Sequence, residues 1–207
     1  AVLSPPPPAA MLQQRHSALE KPPHSSWKLG PGKVYTCFLS HSKQEAGMEA
    51  RYLRDLLQKM LRKPCFLDSQ NLANLKNLFK NGLERCDVLV LLATKHVLRR
   101  PSCLLELRCA QRASLPSVVV DISGREILWT EASRILADIG AALDDPGAVG
   151  VIESTLKQIV ARTGKEDEEP PTLSKFGADI AHALRVHERA FPSFHTSEAA
   201  SATFHPW

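Results

Sequence analysis

The sequence predicts an α/β fold in which helices cover both faces of a parallel sheet, and two observations carry that reading. Short β-rich apolar runs alternate with stretches whose apolar residues recur at helical spacing. The runs are apolar at consecutive positions, most clearly from Val88 to Ala93, and a strand apolar on both faces belongs to a parallel sheet buried on both sides.

Each element follows in order. Residues 1–32 hold Pro5 to Pro8, Pro22, Pro23 and Pro31 with few large apolar side chains, so they are expected to be a proline-rich disordered linker. Within it, Met11 to Leu19 is a candidate short helix for a partner, and Gly30-Pro31-Gly32-Lys33 is rejected as a phosphate loop because it precedes a strand. Val34 to Leu39 reads as the first strand, followed by Met48, Tyr52, Leu53, Leu56, Leu57, Met60 and Leu61 as the apolar face of a helix. Cys65 to Leu67, after Pro64, is a short second strand, and Leu72, Leu75, Leu78, Phe79 and Leu83 mark another helix. Val88 to Ala93 is the third strand, Pro101 to Ala113 a helix, and Val118 to Ile122 the fourth strand.

Beyond Ser123, Trp129 to Ala142, Val149 to Arg162 and Leu173 to Arg189 have helical spacing, with a turn at Asp144-Asp145-Pro146-Gly147 and an acidic loop from Gly164 to Pro171. A fifth strand is uncertain; the candidate places are Ile127 to Trp129 and Val149 to Ile152. The expected organisation is a linker over 1–32, one domain over 33–190 with a helical C-terminal part, and a loose tail over 191–207.

Right-handed crossovers give a flavodoxin-like three-layer fold with strand order 2-1-3-4-5. A crevice then opens between the carboxyl ends of the first and third strands. Ser40, His41, Ser42 and Lys43 would line one side, and Thr94, Lys95 and His96 the other. Glu106 lies on the helix beyond. On a wheel of about 100° per residue it falls at the border between the apolar arc of Cys103, Leu107 and Ala110 and the solvated arc of Arg108 and Arg112. It is either a candidate catalytic carboxylate or an acid favoured early in a helix by the macrodipole. A phosphorylated receiver domain is disfavoured, since its acidic pair and acceptor Asp are replaced by Ser40-His41-Ser42 and Thr94-Lys95-His96. Asp68, ending the second strand, reads as a turn or capping residue or as one that orients a loop.

Composition narrows the classes further. The formal charge is only +4, and Lys95, Arg99, Arg100, Arg108 and Arg112 gather near one junction without interleaved aromatics, so nucleic acid is not an expected partner. No apolar stretch is long enough to span a bilayer, so a soluble cytoplasmic protein without membrane insertion is expected. The five cysteines include no CxxC pair and the eight histidines are scattered, so no metal site is expected and the thiols read as reduced.

Tyr35-Thr36-Cys37-Phe38-Leu39-Ser40-His41, Cys65-Phe66-Leu67-Asp68, Asp87 to Thr94 and Ser102-Cys103-Leu104-Leu105-Glu106-Leu107 together resemble the successive signatures of a Toll/interleukin-receptor (TIR) domain over about residues 33 to 125. The Cys-Leu-x-Glu-Leu helix is similar to plant-type and protist or bacterial members more than to animal Toll receptors. The resemblance implies a signalling domain that binds itself and other TIR domains. In many members it also cleaves NAD+ to nicotinamide and ADP-ribose or a cyclic isomer, with NAD+ as substrate and no cofactor. It places the catalytic carboxylate at Glu106, a mobile BB loop at Ser69 to Leu75, a basic residue at Lys43 and an aromatic at Trp129. Ser40, His41, Asp68 and Ser102 complete the expected substrate-binding set. Ser102 stands where the family often has Trp, and the loop lacks the usual Gly or Pro. A non-catalytic TIR adaptor is the alternative, and a nucleoside deoxyribosyltransferase-like enzyme a remote one.

Overall fold

β1 (Tyr35–Ser40) forms the centre of the sheet, pairing in parallel with β2 (Phe66–Leu67) on one side and β3 (Cys86–Ala93) on the other. β3 in turn pairs in parallel with β4 (Ser117–Asp121), giving the order 2-1-3-4. This is the predicted α/β, flavodoxin-like architecture. The computed structural model describes residues 28–67, 79, 82–143, 145–161 and 169–190. Most of the linker, the tail, the expected helix around Leu72 to Leu78, Asp68 and the Ser69 to Leu75 loop lie outside the described residues.

Alternation of side chains along β1 divides the core in two. Phe38 enters the larger cluster, stacked on Phe66 at a ring separation of 5.3 Å, whereas Cys37 and Leu39 face the smaller one with Val90 and Leu92. Helix α1 (Lys43–Leu61) covers the smaller cluster through Ala46, Ala50, Leu53 and Leu57. Helix α2 (Pro101–Arg112) covers the opposite face, so the helices following β1 and β3 lie on opposite sides, as the fold logic requires.

The C-terminal part adds α3 (Trp129–Ala137), α4 (Ile139–Ala142), α5 (Pro146–Ala161) and α6 (Leu173–Ala190) to the α2 face. Asp138 interrupts the expected Trp129 to Ala142 helix and caps α4 by accepting from Ala141 N–H at 3.0 Å. Neither candidate fifth strand forms. Trp129 opens a helix, and Val149 to Ile152 belongs to α5, whose buried Ala148, Ile152, Leu156 and Val160 recur every four residues. Pro146 at the start of α5 suits the first helical turn, where its missing N–H costs nothing.

Three sequence expectations change in the folded chain. In α1, Met48, Tyr52, Leu56 and Met60 are exposed, Met48 by 80 %. The inward arc is Ala46 and Ala50 with the partly buried Leu53 and Leu57, and Ala46 itself departs from helical φ and ψ. In α2, Leu104 and Leu105 are buried as well as Cys103 and Leu107, because α5 and α6 cover the flank that a single-helix wheel leaves to solvent. Arg108 is accordingly not solvated; it pairs with Asp179 of α6. At the N-terminal edge, Gly30 N–H donates to Asp87 Oδ1 at 3.0 Å. Gly32 takes φ of 74° in the turn before β1, a left-handed conformation that suits glycine.

Candidate functional site at the carboxyl ends of β1 and β3

β1 ends at Ser40 and runs through His41 to Ser42, the N-cap of α1. The Ser40 and Ser42 hydroxyls are both buried, and neither meets a nitrogen or oxygen partner among the described residues. Buried hydroxyls left this way are uncommon. His41 Nδ1 sits 3.4 Å from the Leu39 carbonyl, which keeps the ring beside its own strand end. Lys43, the first residue of α1, is exposed.

α2 brings the second half of the site against this strand end. Arg100 is its extended N-cap and Pro101 occupies the first turn, a favoured place for proline. Cys103 Sγ donates to the His41 carbonyl at 3.4 Å, and Arg100 Nη2 donates to Gln44 Oε1 at 2.5 Å. Ser40 also reaches the Cys103 thiol. Ser40, His41, Ser102 and Cys103 are thereby brought together. Glu106 lies one helical turn beyond Cys103, close enough for its charge to act on that thiol. Its side chain is only 4 % exposed, deeper than the border position on the wheel. Burial, then the Glu106 charge, push the Cys103 thiol up, so it remains protonated at neutral pH and is not a nucleophile.

The β3 side of the expected crevice is occupied by the protein itself. Glu45, in the first turn of α1, accepts from Thr94 Oγ1 at 2.7 Å and from the His96 backbone N–H at 3.3 Å. Its other oxygen lies 2.7 Å from His96 Nδ1. Arg125, after β4, adds an ion pair to the buried Glu49 at 3.0 Å and donates to the Glu45 carbonyl. Thr94 and His96 therefore both engage the first turn of α1. Sequence reasoning passed over Glu45, Glu49 and Arg125. The available signal was an acid in the first helical turn after β1.

Burial pushes the Glu45 carboxyl up, but the hydrogen bonds from Thr94 and His96 and the histidine charge outweigh it and hold it below the usual range. Trp129 is the first residue of α3. It is half-buried and packs against the larger core. Asp68 lies outside the described residues. Among those residues no group of three or more His, Cys, Asp or Glu side chains is placed to hold a metal.

No family model matches this sequence, and no curated protein matches it. Among solved structures, the chain is similar to TIR domains. One match is to the TIR domains in a structure of the activated Roq1 resistosome directly recognizing the pathogen effector XopQ, at 13 % identity and a TM-score of 0.45, covering 73 % of this chain and 84 % of that one. No described helix is long and apolar enough to cross a membrane.

Proposed function

We propose that this chain is a TIR-type signalling domain that self-associates and cleaves NAD+ at the glycosidic bond to nicotinamide, releasing nicotinamide with ADP-ribose or a cyclic isomer. The observation that carries the reading is Glu106: a carboxylate 4 % exposed among Leu104, Leu105 and Leu107, on the helix packed against the end of β1. Burying an acid is costly where an apolar side chain would pack as well, and such residues concentrate at functional sites. A fixed negative charge there suits the oxocarbenium-like state that develops on the nicotinamide ribose as the bond breaks. The buried Ser40 and Ser42 hydroxyls supply donors for ribose or phosphate oxygens on the same edge. The signature motifs over residues 33 to 125 support the same reading.

Self-association is supported by the exposed row of Met48, Tyr52, Leu56 and Met60 on α1, an apolar stripe that a partner surface would cover. A second reading, a non-catalytic adaptor acting through TIR–TIR binding alone, is favoured by Ser102. A half-buried serine at that position offers no aromatic wall for the nicotinamide.

Nicotinamide release from NAD+ at high protein concentration, with and without a crowding agent, tests both. Release by wild type that is lost in Glu106→Gln supports the enzymatic reading, since the substitution keeps the shape and removes the charge. Retention of the full rate by Glu106→Gln removes the catalytic assignment. No release from assembled wild type leaves the adaptor. Base exchange between nucleosides would point instead to a deoxyribosyltransferase.

A further inference from the structure

Cys37 and Cys65 are brought face to face on one side of the sheet. Phe38 pairs with Phe66 and Leu39 with Leu67 in the parallel β1–β2 register, and Phe38 and Phe66 stack on the α2 face. The residue before each therefore faces the other way, and Cys37 and Cys65 both enter the smaller cluster beneath α1. Their thiols interact directly, and the Cys37 backbone also hydrogen-bonds the Cys65 sulfur. Neighbouring strands lie about 4.8 Å apart, within the roughly 4.4–6.8 Å that a disulfide spans between Cα atoms. Both cysteines are free, as are Cys86, Cys103 and Cys109.

We propose that Cys37 and Cys65 form a peroxide-oxidisable dithiol that closes to an intrachain disulfide and staples the edge strand β2 to β1. The two thiols are inequivalent. The hydrogen bond from Cys37 lowers the Cys65 thiol, burial opposes this, and the Arg54 charge adds to the lowering; Cys37 is raised by the same hydrogen bond and by burial. Cys65 is thus the attacking sulfur. It sits one residue from the exposed Pro64 at the start of a two-residue edge strand, where a molecule as small as a hydroperoxide needs little opening.

The Cys65 thiolate gives an electron pair to one peroxide oxygen and the O–O bond breaks. The other oxygen leaves with a proton as water or an alcohol, and Cys65 becomes a sulfenic acid. The Cys37 sulfur then attacks the Cys65 sulfur, the S–O bond breaks, and the hydroxide leaves with the Cys37 proton as water. Two electrons pass from the sulfur pair to one hydroperoxide, with no other reactant. The disulfide would tie down the strand that leads directly into Asp68.

The test treats the intact chain with hydrogen peroxide, blocks remaining thiols with N-ethylmaleimide after unfolding, and maps linked peptides by mass spectrometry. The expected result is loss of two hydrogens from the chain and one linked pair, Cys37 with Cys65, while Cys86, Cys103 and Cys109 are alkylated. In Cys37→Ser, Cys65 should stop at the sulfenic acid and become reactive to dimedone. Five alkylated thiols after peroxide, or a linked peptide joining any other pair, would overturn the proposal. Wild-type mapping decides it even if the variant does not fold.

Discussion

 Arg108 of α2 donates to Asp179 of α6 at 2.5 Å, joining two helices through residues 71 positions apart in the chain. The same guanidinium donates to Gln111 Oε1 at 2.7 Å, and Gln111 Nε2 donates to the Asp179 carbonyl at 3.1 Å. With Arg108 only 11 % exposed, this is a largely desolvated contact that holds the C-terminal helix on the site-bearing one. Asp179→Asn leaves a mostly buried guanidinium without its counter-charge and is expected to lower stability by about 1–3 kcal/mol. Urea unfolding at neutral pH measures it, and an unchanged midpoint would show that the pair contributes nothing.

Glu45 makes stability depend on pH. Its carboxyl is held below the ordinary range, so its contribution is fully present above the unfolded-state value, near 4.5, and is lost as pH falls through the lower folded-state value. Glu45→Gln is therefore expected to cost roughly 1–3 kcal/mol at neutral pH, the usual worth of hydrogen bonds to a charged group. The gap from wild type should close on acidification. Paired urea titrations from neutral to acid pH measure it; a gap that widens in acid would reverse the assigned sign.

Gly177 tests how closely α6 approaches α3. A Cβ there would press on the Leu136 carbonyl oxygen and come within 3.2 Å of Ile139 Cδ1. Helix propensity alone favours alanine over glycine by roughly 0.5–1 kcal/mol. The backbone clash has the opposite sign and is expected to win, so Gly177→Ala should destabilise by about 1–3 kcal/mol. Thermal or urea unfolding reads the sign directly, and a stabilised variant would mean that the two helices do not pack this tightly.

Ser102→Trp addresses the missing aromatic wall. If wild type releases nicotinamide, restoring a ring at this half-buried position beside Cys103 should raise kcat/KM by about fivefold, corresponding to roughly 1 kcal/mol of stacking. Steady-state nicotinamide release checks it. A lower rate in a folded variant would show that the space is needed for something else.

By itself, the sequence determined the four strands, their order and the two-sided cover, because consecutive apolar residues in β3 and helical spacing after β1 are local patterns that one chemistry satisfies. It also brought out Glu106 and the Ser40-His41-Ser42 turn, since strand ends in this architecture fall on one edge. Tertiary structure decided what those residues meet. A helical wheel assigns faces for one neighbour, whereas α2 is covered by the sheet on one side and by α5 and α6 on others, which buried Leu104, Leu105 and Arg108. In α1 the sheet takes the arc of Ala46, Ala50, Leu53 and Leu57 and leaves Met48, Tyr52, Leu56 and Met60 outward, a choice of face that helical spacing alone did not make. Glu45 reaching Thr94 and His96, and Cys37 meeting Cys65, join residues far apart in the chain, and no local periodicity encodes which distant partner a side chain finds.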